Sequence, residues 1–398
     1  MQIKQKLTAI FVTAFCLNAL NAHTTPFVPE KENEVVDQLP GNANKAAAAA
    51  SVRESRRAQV VLNQNKSNLN LALHVAKLNI RRARTESDPR YLGQAEAALT
   101  PWLSESRPPV TVLVLRANIR QSLHQFGPAR TDLEEVVKRE PANAQAWLTL
   151  ATVAQVTGDI ATARASCSKL TTLIAPPVHA ACVAAIDGNS GSAKAAAASL
   201  ARSLQLSPGI NRDVRAWITT LQAELAERAG QNLAAEKFYR QALALDKRDA
   251  YTVAAYADYL LDQNRVREVL QLIPVETDTD ILLLRRVIAA TSLKRADAAA
   301  MADRLAARYD VARTRGDQLH LREEARFLLH VRHQPAEALT LAAKNWQVQK
   351  EPADLRILLE AANAAKQRAA AQIALAWLDD TKLEGQALAR LAAQARRL

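Results

Sequence analysis

Aromatic residues are scarce in this 398-residue chain, at 4%, and it has only 10 glycines and 15 prolines. A β-sandwich or barrel needs many turn glycines and strands rich in aromatic or β-branched side chains, so the shortage excludes those folds. There are three cysteines, Cys16, Cys167 and Cys182, none spaced as a CxxC redox or zinc motif. Phosphate loops, GxGxxG fingerprints, GxSxG elbows and HExxH helices are absent, so nothing points to the common nucleotide, esterase or metalloprotease chemistries. The expectation is a protein that is not an enzyme and has no cofactor. What the chain does have is a hydrophobic content of 49% with 23% charged residues, which argues against general disorder. Most of the apolar surplus is alanine, the residue that loses least on entering a helix. Composition therefore predicts an all-α fold.

The first residues bear on the compartment. Lys4 and Lys6 precede an apolar run from Leu7 to Leu20, followed by small Ala22. This is the three-part layout of a secretory signal peptide over residues 1–22, and it is shorter than the ~20 apolar residues of a spanning helix. Bulky Phe15 before Cys16 disfavours a lipoprotein signal. No other stretch approaches membrane length, so the expectation is an exported, periplasmic protein with no transmembrane helix after signal removal. Residues 23–44 carry three prolines and no helical period, and read as an extended or disordered leader. The formal net charge is +12, which falls to +10 without Lys4 and Lys6. Export argues against a nucleic-acid partner, and the scattered arginines read as the solvated faces of helices.

From Leu69 onward, helical stretches alternate with short turns at a fixed period. Ala117, Ala129 and Pro141 recur 34 residues later as Ala151, Ala163 and Ala175, with Pro176 one place beyond the proline position. Trp147, Leu150 and Gly158 stand in the second of these units, and GQNLAAEKFYRQALALDKRDA follows from Gly230 to Ala250. In that segment Gly230 marks the turn, Ala235 and Ala242 the close crossings and Tyr239 the aromatic position. This pattern resembles the tetratricopeptide repeat (TPR), with Lys247 standing where the family usually has proline. More narrowly it resembles a group of exported bacterial repeat proteins, which implies no activity. The resemblance implies an α-solenoid of helix-turn-helix repeats wound into a right-handed superhelix. The clearest units are 110–143, 144–177, 216–249 and 250–283, with weaker ones at 178–213, 319–352 and 353–386. Residues 45–109 form N-terminal helices with a degenerate repeat, and the array runs over 110–398.

In TPR proteins the first helix of each unit lines a concave groove that holds a protein or peptide. Carried over by repeat position, the groove would include Asn118, Gln121, Gln155, Glu224, Glu227, Tyr251, Asp258, His320, Glu323 and His330. The register is least regular where Gln222 replaces a leucine and Arg326 a small residue, and a shift of one or two residues would bury Trp217. Cys167 falls on a second helix and Cys182 on the next first helix, which pack together in this family, so the pair is a disulfide candidate in an oxidising compartment. His320, Glu323, Phe327 and His330 share one helical face. His320 and Glu324, one turn apart, are the alternative: two ligands of a metal site that would need more from a neighbouring helix.

Overall fold

The computed structural model describes residues 45–398, apart from 87, 248, 278 and 315–318. Residues 1–22 and 23–44, read from the sequence as a signal peptide and a leader, and Cys16 with them, lie outside the described residues. The chain divides into two compact units, Met1–Ala48 and Ala49–Leu398. Only the last residues of the first are described, where they open a helix. The second unit is helical throughout, with no strand among the described residues.

The helices are α1 (Lys45–Gln64), α2 (Leu69–Glu86), α3 (Arg90–Leu103), α4 (Val110–Ser122), α5 (Phe126–Arg139), α6 (Ala144–Thr157) and α7 (Ile160–Lys169). They continue as α8 (Pro176–Gly188), α9 (Ala193–Gln205), α10 (Arg212–Arg228), α11 (Asn232–Leu245), α12 (Ala250–Asp262), α13 (Val266–Leu272) and α14 (Asp280–Ser292). The last six are α15 (Ala298–Thr314), α16 (Leu321–His330), α17 (Pro335–Val348), α18 (Pro352–Ala364), α19 (Arg368–Thr381) and α20 (Gln386–Ala395). From α2 to α19 consecutive helices pack as nine pairs, each even-numbered helix touching its own partner and the next even-numbered helix. The final helix, α20, closes the array against α18 and α19. This is an all-α solenoid of TPR-like helix-turn-helix units.

Alanine sets the spacing within the pairs. Ala117, Ala151, Ala257 and Ala325 on first helices, and Ala129, Ala163, Ala235 and Ala338 on second helices, are all buried. A larger side chain at such a crossing would force the helices apart. No pair can bury its own apolar face, so the core runs on through contacts between neighbours.

The turn inside each pair repeats its geometry more faithfully than its sequence. His124, Gly158, Gly191, Gly230, Asn264, Lys294, His333 and Lys366 all have left-handed backbone, at intervals of 34, 33, 39, 34, 30, 39 and 33 residues. After seven of these eight, the following residue donates its N–H to the carbonyl five positions back, as Gln125 does to Arg120 and Gln367 to Ala362. That bond closes the helix with a Schellman cap. The 30-residue interval has a local cause: Pro274 holds Ile273 out of helical conformation and stops α13 after two turns.

Two further contacts tie the array together. Cys167 on α7 and Cys182 on α8 form a disulfide with Cα atoms 5.9 Å apart, buried among Ala151, Ala163 and Ile186. The last pairs also reach back to the turn edge of the earlier ones. Lys350 donates its backbone N–H to Val156 at 2.7 Å, and Ala193 donates its own to the Glu384 carboxylate at 2.7 Å. Gln349 reaches His124 Nδ1 at 3.3 Å. Burial, followed by the Arg322 charge, holds His124 down to about 4, so its neutral ring accepts that bond. A Cβ on Gly158 would sit 2.5 Å from the Trp377 ring.

Candidate functional site: the inner face of the first helices

The first helices α10, α12, α14, α16 and α18 carry a connected set of charged side chains. Asp258 on α12 is gripped from two sides. Arg285 on α14 donates to it at 2.7 and 3.1 Å, and Arg326 on α16 at 2.8 and 3.0 Å. Burial opposes the Asp258 charge, but the two guanidinium groups outweigh it and hold the carboxyl far below its usual range. One turn along α12, Asp262 takes a two-pronged contact from Arg356 on α18, both arms at 2.6 Å. Arg356 also donates to Glu360 at 2.7 Å, and the other Glu360 oxygen meets His330 Nε2 at 2.8 Å. Burial disfavours the Glu360 charge as well, yet Arg356 and His330 bring it down to about 2.

At the N-terminal ends of α16 and α18, Arg322 pairs with Glu323 at 3.1 Å, Glu351 at 3.1 Å and Asp354 at 3.3 Å. Glu323 is buried, and Arg322, Arg285 and Arg326 overcome that burial to hold it at about 2. On α10 the balance is reversed. Glu227 accepts from the buried Tyr239 hydroxyl at 2.8 Å, but burial, with Asp262 adding to it, pushes this carboxyl up to about 7. Burial also raises Glu224, whose nearest cation, Arg228, stands 3.8 Å away.

Two aromatic side chains stay open to water. Tyr251 at the start of α12 is 59% exposed while its hydroxyl donates to Glu224 at 2.6 Å. Trp217, 34 residues earlier on α10, is 40% exposed and stands at the equivalent distance from its pair's left-handed turn residue. The sequence had left Trp217 open to burial by a register shift.

Of the ten residues expected in the groove, Glu224, Glu227, Tyr251, Asp258, Glu323 and His330 all take part in this arrangement. Asn118 lies in an earlier pair, where Thr149 reaches it at 3.4 Å. Gln121 and Gln155 are half-buried near the ends of α4 and α6. His320 caps the start of α16 with its ring against Tyr309, centroids 6.1 Å apart. Glu324 is paired with Arg313 instead of sharing a ligand with His320. Among the described residues no three His, Cys, Asp or Glu side chains are grouped to hold a metal ion.

Asp262, Arg285, Arg322, Arg356 and Glu360 also belong to this arrangement and were not among the expected residues. Arg326, a cation where the repeat normally keeps a small side chain, was the one visible sign of them. In this arrangement Glu224, Asp258, Asp262, Glu323, Glu351, Asp354 and Glu360 pair with Arg228, Arg285, Arg322, Arg326 and Arg356, Glu360 also with His330, and Glu227 with the Tyr239 hydroxyl. These polar groups are engaged largely with one another, while Trp217 and Tyr251 are exposed.

The sequence matches no protein-family model and no curated protein. Among solved structures it is similar to a Rap protein crystallised with competence and sporulation factor, at 12% identity and a TM-score of 0.49, over 87% of this chain and 94% of that one. It is also similar to yeast Tom70, at 11% identity and a TM-score of 0.41, over 89% of this chain and 86% of that one. No helix among the described residues is long and apolar enough to cross a membrane.

Proposed function

We propose that this chain is an exported interaction scaffold that binds a protein or peptide segment along the inner face of its helix pairs and acts in assembly within a bacterial envelope. The observation that carries this reading is Tyr251. Its ring is largely exposed, yet its hydroxyl is fixed by Glu224, so an aromatic anchor is held in place at little further cost in conformational freedom. Trp217 offers a second such anchor on the neighbouring first helix. Glu224, which holds Tyr251, adds a hydrogen-bond acceptor beside the first anchor. Support for export comes from the basic-apolar-small order of residues 1–22 and from the Cys167–Cys182 disulfide, a bond that persists in oxidising compartments.

A photo-crosslinking amino acid in place of Tyr251, activated in cells, tests the binding reading. One discrete adduct is expected, lost when Trp217→Ala is added and absent when the probe replaces Leu233 on α11. Identical patterns from both positions would refute an inner-face site. The export reading is checked separately by the intact mass of the protein from the envelope fraction, which should lack residues 1–22.

A further inference from the structure

We propose that the groove between α1 and α2 is a second docking site, separate from the inner face, and that it takes an acidic peptide segment bearing apolar side chains. The groove has a volume of about 490 Å³ and is lined by Arg53, Glu54, Arg57, Ala58, Val61, Leu71 and His74. It exists because α1 joins the core of the first pair only through Leu62 and the partly buried Ala58. The rest of that face of α1 stays open, with Val60 56% and Val61 45% exposed.

Charge is concentrated here. Residues 45–86 carry nine Lys and Arg against two Asp and Glu, so more than half of the net +12 lies in this segment. Arg53, Arg56 and Arg57 are exposed and, among the described residues, make no ion pair, whereas the arginines of the inner face are each held by carboxylates. Arg53, Arg57 and Val61 follow one another at single-turn spacing, a stripe of about 12 Å at 1.5 Å per residue. A ligand that alternates carboxylates with apolar groups matches it: carboxylates on the two guanidinium groups, and an aliphatic side chain between Val61 and Leu71. Ala58 and Leu71 are half-buried, while Arg53 and Arg57 beside them are exposed.

The test is fluorescence anisotropy of the full chain with a labelled peptide of repeating Leu-Glu-Glu-Leu, and with its Leu-Lys-Lys-Leu counterpart. The acidic peptide should bind and the basic one should bind at least about tenfold more weakly at this site. Arg53→Glu with Arg57→Glu should weaken the acidic peptide by about tenfold or more, and Val61→Asp by a smaller factor. Circular dichroism of each variant verifies the fold, and Tyr251→Ala should leave binding unchanged, which separates this groove from the inner face. The proposal is overturned if the acidic peptide does not bind, or if the double charge reversal leaves its affinity unchanged. It is equally overturned if vesicles of anionic lipid bind through Arg53 and Arg57 while the peptide does not.

Discussion

In α4 and α5, buried Asp132 takes hydrogen bonds at 2.6 Å from Arg116 and Arg120, partners 16 and 12 residues away within the same helix pair. In the later pairs Asp258 and Asp262 are held by Arg326 and Arg356, from 68 and 94 residues downstream. The earlier region keeps its ion pairs as a solenoid should, within a unit or between neighbours, as Arg130 pairs with Asp159 of the next unit, and a disulfide fastens one such joint. The later region departs from that rule, because α12 is strapped to α16 and α18 across the units between. Local ion pairs fix a single unit, whereas the straps fix the curvature of several.

The largest effect should come from cutting a strap. Asp258→Asn leaves Arg285 and Arg326 facing each other uncompensated and should lower the unfolding free energy by about 3 kcal/mol, read by urea denaturation. It should also enlarge the radius of gyration in solution scattering, while Asp132→Asn destabilises without changing it. If both variants keep the parental radius, the distinction between strap and local pair is wrong. Next in size is the joint at Cys167 and Cys182. Replacing both with serine should remove about 2–3 kcal/mol, since the closed loop is short. The loss should vanish when parent and variant are compared in reducing agent.

Glu227→Gln probes the later region by pH. The folded carboxyl titrates at about 7, above its ordinary value of 4.5. The unfolded chain therefore releases this proton first, and stability falls as pH rises from 4.5 to 7. The variant has no such loss, so it should match the parent below pH 4.5 and exceed it by up to about 3 kcal/mol at pH 8, as seen in paired melting curves. The smallest effect is expected at a turn. Lys366 holds a left-handed backbone that costs a side-chain-bearing residue about 1 kcal/mol. Lys366→Gly should raise the melting temperature slightly, with a net gain of about 0.5 kcal/mol once the added freedom of the unfolded chain is subtracted.

The fold was legible because alanine content and a 34-residue recurrence are local signals, and because Gly158 and Gly230 mark two turns directly. The other turns were harder to see. His124, Asn264, Lys294, His333 and Lys366 take the glycine conformation without being glycine, and the intervals slip to 30 and 39. On the first helices, repeat spacing pointed to single positions such as Tyr251 and Asp258. Their partners could not, because no periodicity links Asp262 to Arg356 across 94 residues. Glu323 and Glu324 show the same limit. Both sit on an amphipathic helix, and which arginine neutralises each is decided by other elements, Arg322 for one and Arg313 for the other.

The bond from Lys350 to Val156 spans nearly half the chain, and this has a consequence for the order of events during synthesis. Pairs α4 to α9 have all their local partners once about half of the chain has emerged. The turn edge they present around Gly158 and Gly191 then stays uncovered until the last fifth of the chain arrives. A nascent chain thus passes through a stage in which pairs α4 to α9 have their local contacts and one edge of them is unsheathed. Any factor that attends this protein during biogenesis has that edge, from His124 to Gly230, as the surface available to hold.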